Sequence, residues 1–290
     1  MNPRRASKTA EVVAAVRAAH LLYDAPVVFT DPYAIHLTSP LWRFLARHRL
    51  AYRFVAECLL KVLRPVRGQI LGRARYCDEL LDAAIKRGIT QCIIVGAGLD
   101  SLALRRPDLA DTLTIYELDH PNSQAVKRQR LQGISNKLPH NLVFVPADFE
   151  RVTVLHALQS TAFQTKEPAF FSWLGTTLYL SPEAIFATLT DIATHAAPSS
   201  ELLLDYSMSD HLLTGIDKKE LIALKKYVAR LGEPFRANFS PDELVAKVTD
   251  LGYRILEHLS YRDQCARFFS NRSDDLRPAA FSNFLHLAVT

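Results

Sequence analysis

The chain has 290 residues, 49% of them hydrophobic and 22% charged, with a net charge of +5. This fits a soluble globular protein, long enough for one large domain or for a core domain with an appendage. No run reaches the roughly 18 apolar residues of a membrane span, and the Arg-rich start lacks the apolar centre of a signal peptide, so a cytoplasmic location is expected. Cys58, Cys77, Cys92 and Cys265 are far apart and form no CxxC pair, which favours reduced structural thiols over disulfides and argues against a zinc site.

In chain order, residues 8–22 have helical spacing, with Ala10, Val13, Ala14 and Ala18 on one face and Arg17, His20 and Asp24 along another. Tyr23, Asp24 and Pro26 end that pattern, and Asp31-Pro32-Tyr33 is a turn by its chemistry. Residues 41–63 alternate Arg or His with Trp, Phe, Leu and Val at helical spacing. They form a basic amphipathic segment able to lie on a membrane surface, and the favoured reading is a cap packed on its own domain. Lys61, Arg64, Arg67, Arg73 and Arg75 give a basic stretch that an RNA or a lipid surface could use. No aromatic RNA-binding signature accompanies it, so a solvated helix face is preferred and no nucleic-acid partner is expected.

From Arg75 the texture changes to alternating helices and strands. Leu80, Leu81, Ala84 and Ile85 make a helical stripe that Gly88 stops. The strand Cys92–Val95 enters the turn Gly96-Ala97-Gly98-Leu99-Asp100, and a second, from Leu113, ends in Glu117 and Asp119. Pro121 opens a helix to about Leu131. A third strand, Leu142–Val145, ends at Asp148-Phe149; Ala169–Leu174 and Leu202–Tyr206 are the next two, with a helix between them from Ser181 to about His195. Residues 208–236 are a helical insertion, after which Ser240-Pro241-Asp242-Glu243 has the pattern of a capping box. Tyr253–Leu259 and Phe281–Val289 are the last strands. The expected fold is α/β: a doubly wound, mostly parallel sheet with an antiparallel C-terminal edge.

In such a sheet the strand ends converge on a ligand crevice, here the ends at Gly96–Asp100, Glu117–Asp119, Asp148–Phe149, Leu174–Tyr179 and Asp205–Tyr206. A dinucleotide fingerprint requires a third glycine where Ser101 stands, and Asp100 at the helix start would repel a pyrophosphate. A dehydrogenase is therefore disfavoured. S-adenosylmethionine has a ribose, an adenine, an amino-acid zwitterion and a sulfonium but no phosphate, and it suits the glycines and the acids together. A tight turn without a ligand is the competing reading of GAGLD alone.

GAGLDSLALRR, YELDHPNSQAVKRQRL, VPADF, FSWLGTTLYLSPEAI and GEPFRANFSPDELVAKVTDLGY resemble the successive motifs of the S-adenosylmethionine-dependent O-methyltransferases that include leucine carboxyl and polyketide O-methyltransferases. The leading RAAHLLYDAPVVFTDPYA is similar to the same family, so the resemblance covers nearly the whole chain. It implies a Rossmann-like methyltransferase core over 67–290, a helical N-terminal cap over 1–66, and an insertion at 208–236 on the substrate side. It further implies that Gly96, Ala97 and Gly98 lie along the cofactor's methionine and ribose, that Asp119 holds the ribose hydroxyls, and that Asp148 and Phe149 contact adenine. Asp100 stands ready for the ammonium end, and Glu117 remains an alternative to Asp119, two residues away on the same face. One of Arg73 and Arg75, in GRARYCD, is expected to clamp the methionine carboxylate. Where leucine carboxyl methyltransferases carry an acidic residue this chain has Leu174, which points away from a protein carboxyl group and toward small-molecule acceptors.

The expected reaction is in-line transfer of a methyl group to a carboxylate or hydroxyl of a small apolar acceptor. His20 is a candidate base and Tyr179 a second candidate catalytic residue, each with a structural alternative. Arg17, Tyr23 and Asp205 are candidate acceptor-side residues. The competing functions are an RNA methyltransferase using residues 61–75 and a regulatory protein that binds the cofactor without turnover.

Overall fold

The computed structural model describes residues 7–55, 61–134 and 137–290. It begins with helix α1 (Lys8–Tyr23), followed by α2 (Ala34–Leu37), α3 (Pro40–Arg47), α4 (Arg49–Phe54) and the long α5 (Arg64–Lys86). Then come β1 (Gln91–Val95), α6 (Leu102–Arg105), β2 (Thr114–Asp119), α7 (Pro121–Gln132), β3 (Leu142–Pro146), α8 (Val154–Leu158), β4 (Phe170–Trp173), α9 (Pro182–His195) and β5 (Glu201–Ser207). The chain closes with α10 (Gly215–Arg230), α11 (Pro241–Asp250), β6 (Tyr253–Leu259), α12 (Tyr261–Phe268) and β7 (Ser282–Val289).

The seven strands form one sheet in the order β3-β2-β1-β4-β5-β7-β6. β1 to β5 are parallel, while β7 runs antiparallel to both β5 and β6. Every residue of β1, β4, β5 and β7 is buried, which is why these strands read as continuous apolar runs rather than alternating ones. Side chains alternate across the sheet. Ile93 and Val95 of β1 pack toward Ile185, Leu189 and Ile192 of α9, whereas Cys92 and Ile94 pack toward Ile70, Leu71 and Leu81 of α5. Connections run outward from β1 through β2 to β3, then return to β4 on the other side of β1. The carboxyl ends of β1 and β4 therefore form the topological switch point, where a doubly wound sheet opens a crevice.

Several expectations are corrected here. The 66/67 boundary falls inside α5, whose 23 residues run unbroken to Arg87 and Gly88 (φ +97°), so cap and core share a helix. Ser240 begins α11 without a side-chain cap bond, whereas the capping box that forms is Ser260 with Asp263 at the start of α12. The α1 face that carries Arg17 and His20 is buried, the two residues being 5% and 1% exposed. The basic stretch is largely neutralised by neighbours: Arg64 meets Asp275 at 2.6 Å, Arg67 Asp24 at 3.4 Å, Arg73 Asp205 at 2.9 Å and Arg75 Glu79 at 2.9 Å. That pairing offsets four of the five cations on which the RNA reading rested. Cys77, Cys92 and Cys265 are free thiols, and Cys58 lies outside the described residues. Among the described residues, no helix is long and apolar enough to cross a membrane and no His, Cys, Asp and Glu group is placed to hold a metal ion.

Candidate active site

The turn after β1 needs its glycines. Gly96 has φ +76° and a Cβ there would meet Thr176 Oγ1 at 2.1 Å, while Gly98 has φ +50°. The Gly96 and Ala97 amides donate to the Leu118 carbonyl at 2.8 and 3.0 Å, tying the turn to β2. The Gly98 amide donates to Asp119 Oδ2, and the His120 amide donates to Oδ1 at 2.6 Å. Burial raises the Asp119 pKa, against the pull of those two amides. Asp100 accepts from the Leu102 amide at 2.7 Å. Burial acts to raise its pKa too, but Arg105, Arg17 and Lys127 outweigh it and hold the carboxyl below the usual range.

Arg73 approaches from α5. Its Nη1 donates to Asp205 Oδ2 at 2.9 Å, and Asp205 Oδ1 accepts from the Gly175 amide at 2.6 Å. The Thr177 hydroxyl donates to the Asp205 carbonyl at 2.6 Å. Gly175 (φ +73°) is required because a Cβ would lie 2.5 Å from Arg73 Nη2. Asp205 is fully buried behind Arg73, so it fixes the guanidinium and does not itself face the crevice.

These groups surround a cavity of about 550 Å3. Asp148 to Arg151 line it after β3, Asp119 and His120 after β2, Gly96 to Asp100 after β1, and Leu174 to Thr176 with Leu178 to Leu180 after β4. A second wall comes from Val12 and Val13 of α1, Val66, Gln69, Ile70 and Cys77 of α5, and Leu224, Tyr227 and Val228 of α10, with Phe235 beyond. This wall is mostly apolar. Burial pushes Tyr179 up to about 12, with the Thr9 hydroxyl pulling the other way, so it remains a phenol. Its ring meets Phe235 edge-on at 5.5 Å. Cys77, held at 3.3 Å from the Ser172 hydroxyl, is likewise pushed up to about 12 by burial and stays a thiol.

Of the expected site residues, Arg73, Gly96, Ala97, Gly98, Asp100, Asp119, Asp148, Phe149, Tyr179 and Arg17 are brought to the cavity. Arg17 is already committed: it donates to the Leu99 carbonyl at 2.6 Å and faces Asp31 and Asp100 at 3.4 and 3.7 Å, so it pins α1 to the glycine turn. Five expectations are corrected, the first being Asp205, which backs Arg73 and does not face an acceptor. His20 does not line the cavity; Nδ1 lies 2.8 Å from Asp24 and Nε2 accepts the Val28 amide at 2.8 Å, which occupies both nitrogens and removes it as a base. Tyr23 donates to the Ala46 carbonyl at 2.7 Å. Arg75 sits across α5 from Arg73, paired with Glu79 and lying over the Phe268 ring. Glu117 is one pleat below Asp119, bonded by Lys127 at 2.5 Å and outside the lining; burial pushes it up to about 7 against the pull of Lys127.

Two residues of consequence were not anticipated. Gln69 is 3% exposed and lines the cavity, one helical turn before Arg73, and no hydrogen bond of its side chain to a described residue is formed. The i, i+4 spacing of Gln69, Arg73 and Cys77 would have revealed that face once Arg73 was chosen. Glu233, in the GEPF turn, accepts from the Lys8 amide at 2.8 Å, the Thr9 amide at 3.2 Å and the Thr9 hydroxyl at 2.6 Å. It thereby caps the first turn of α1 from the far side of the insertion. Glu233→Ala is expected to lower stability by roughly 1–3 kcal/mol in chemical denaturation, with faster amide exchange at residues 8–12, because the part-buried donors of the first turn lose a charged acceptor.

A sheet of this order, with a glycine turn after β1 and acids at the ends of β2 and β3, defines a Rossmann-like S-adenosylmethionine-dependent methyltransferase. Comparison with known proteins agrees. YktD of Bacillus subtilis, which bears the name of an S-adenosyl-L-methionine-dependent methyltransferase, is 30% identical over 302 residues, covering 99% of each chain. Rv3787c of Mycobacterium tuberculosis, named likewise, is 32% identical over 202 residues, 68% of this chain and 65% of that one. Among solved structures, a chain from Thermobifida fusca named as a methyltransferase superposes with a TM-score of 0.62 at 15% identity, covering 96% of this chain and 94% of that one. A DUF574 family protein from Streptomyces avermitilis gives 0.63 at 10% identity, covering 95% and 96%. These two likenesses are of fold. The sequence model of the leucine carboxyl methyltransferase family matches residues 10–193, and the chain belongs to that family.

Proposed function

We propose that the protein transfers a methyl group from S-adenosylmethionine to the carboxylate of a small, largely apolar acceptor. The donor set fits the cofactor: a fixed guanidinium, carboxylates at three strand ends, an aromatic ring and a glycine turn. In this reading Arg73 holds the methionine carboxylate, Asp100 faces the ammonium group, and Asp119 takes the ribose hydroxyls. Asp148 accepts from the adenine amine, with Phe149 packed on the base. When bound, the cofactor supplies a methyl group already activated on a sulfonium.

The observation that carries the acceptor class is the chemistry of the second wall. Val12, Val13, Val66, Leu224, Val228 and Phe235 offer apolar surface, and beside them lie four neutral groups, the Gln69 amide, the Tyr179 and Tyr227 phenols and the Cys77 thiol, while the imidazole of the lining, His120, follows Asp119 at the end of β2. None of those four is a base near neutral pH. A carboxylate needs none, whereas a phenol or alcohol must lose a proton during transfer. Methylation of a carboxylate beside a sulfonium also removes both charges from an apolar enclosure, so a low dielectric assists the step. Gln69 and Tyr179 remain to hydrogen-bond the acceptor, and α1, α5 and α10 to exclude water. The described residues up to 66 and those of 208–236 thus serve as a substrate-side cap, joined to the core through α5.

Incubation with methyl-labelled S-adenosylmethionine and a panel of apolar carboxylic acids, paired with the matching alcohols and phenols, tests this. Label is expected in the acids and released by mild alkali, as esters require. The rate should be flat from pH 6 to 9, because Tyr179 stays protonated throughout, and should fall only as the acceptor carboxyl protonates near pH 4–5. Alkali-stable label, or a rate rising through a neutral pKa, would overturn the carboxylate assignment.

A further inference from the structure

We propose that α3 and α4 dock the protein peripherally on an anionic lipid surface. From Pro32 to Ala56 the sequence has no Asp or Glu, yet it carries Arg43, Arg47, Arg49 and Arg53. Leu41 and Phe44 of α3 are 66% and 56% exposed, and Leu50 and Phe54 of α4 are 82% and 59% exposed. Their i, i+3 and i, i+4 spacings place an apolar stripe on each helix. Arg47, Arg49 and Arg53 lie exposed among them, and none forms an ion pair with a described residue.

The inner faces of the same helices are fixed. Ala46 packs with Ala18 and Ala34, Tyr23 donates to the Ala46 carbonyl, and the Tyr52 ring meets Tyr23 at 5.7 Å with the Arg67 guanidinium above it. Arg43 is spent on the carbonyls of Ile35, His36 and Thr38. The segment is therefore a cap on its own domain by its inner residues, while leucine, phenylalanine and arginine side chains of both helices are left exposed. Apolar groups in that number are costly to leave in water without an occupant.

The chemistry selects the occupant. A second copy would bring the same cations against one another. A nucleic acid would answer the arginines but gain nothing from Leu41 and Leu50. An anionic bilayer answers both, phosphate headgroups meeting Arg47, Arg49 and Arg53 while the four apolar side chains enter the acyl boundary.

The test is co-sedimentation of the full chain with vesicles of phosphatidylcholine, with and without phosphatidylglycerol, at low and moderate salt. Binding to the anionic vesicles is expected to be at least about tenfold tighter than to the neutral ones, since each interfacial cation contributes. Phe44→Ser with Leu50→Ser should abolish the binding that survives moderate salt. Arg47→Gln, Arg49→Gln and Arg53→Gln together should erase the preference for phosphatidylglycerol. All of these positions are exposed, and unchanged melting temperatures would show the variants to be folded. The proposal is overturned if the unmodified protein ignores the anionic vesicles, or if the folded variants bind as it does. It is equally overturned if the patch substitutions act only on self-association in sedimentation velocity or on RNA binding.

Discussion

Replacing Asp119 with alanine is expected to weaken S-adenosylmethionine binding by about a hundredfold or more, measured by titration calorimetry. The carboxylate ends β2 inside the cavity and is held by two backbone amides, those of Gly98 and His120. Each oxygen keeps a lone pair for a ribose hydroxyl. Hydrogen bonds to a charged acceptor contribute about 1.5–3 kcal/mol apiece, so losing two predicts a loss of that order. Asparagine does not rescue the site, because its NH2 would face one of the two amide donors. Glu117→Gln is the contrasting variant. Glu117 sits on the same face of β2 but meets Lys127 outside the cavity lining, so cofactor affinity should stay within a few-fold of the original even where stability falls. Equal binding by the Asp119 and Glu117 variants would remove Asp119 from its assigned role.

That contrast also marks what the sequence can and cannot convey. Strand spacing places Glu117 and Asp119 on one face, but only α7, with Lys127 reaching 2.5 Å from Glu117, decides which of them reaches the crevice. Arg73 and Arg75 are two residues apart on a helix and so cannot share a face. The choice between them depends on α5 lying against the end of β4, where Gly175 leaves room for a guanidinium. Strands β1, β4, β5 and β7 are legible because burial on both faces is a property of the run itself. The polar face of α1 escapes a sequence reading for the opposite reason. Helical spacing of Arg17 and His20 looks the same whether the face meets water or the glycine turn and the Asp31 loop, and only the tertiary partners Leu99, Asp31 and Val28 tell them apart. Gln69 carries no signal of its own until its place one turn from Arg73 is known.

The buried pair Arg73–Asp205 should separate folding from binding. Asp205 is fully buried and Arg73 nearly so, with side-chain exposures of 0% and 12%. Arg73→Met is therefore expected to lower stability by about 3–5 kcal/mol in urea denaturation, because it strands a buried carboxylate. The double variant Arg73→Met with Asp205→Asn should recover much of that loss. The side-chain carbonyl introduced by Asp205→Asn can still accept from the Gly175 amide, and the backbone carbonyl that receives the Thr177 hydroxyl is untouched. Cofactor affinity should not recover with it, remaining about 10- to 100-fold below the original, since a carboxylate clamp depends on the guanidinium itself. Arg73→Lys should fall between them, retaining charge against Asp205 while losing the planar fork. If the double variant binds S-adenosylmethionine as the unmodified protein does, Arg73 is a structural partner of Asp205 and the methionine carboxylate is held elsewhere. If stability and affinity fall and rise together across the series, the guanidinium acts by shaping the β4 loop around Gly175 rather than by touching the cofactor.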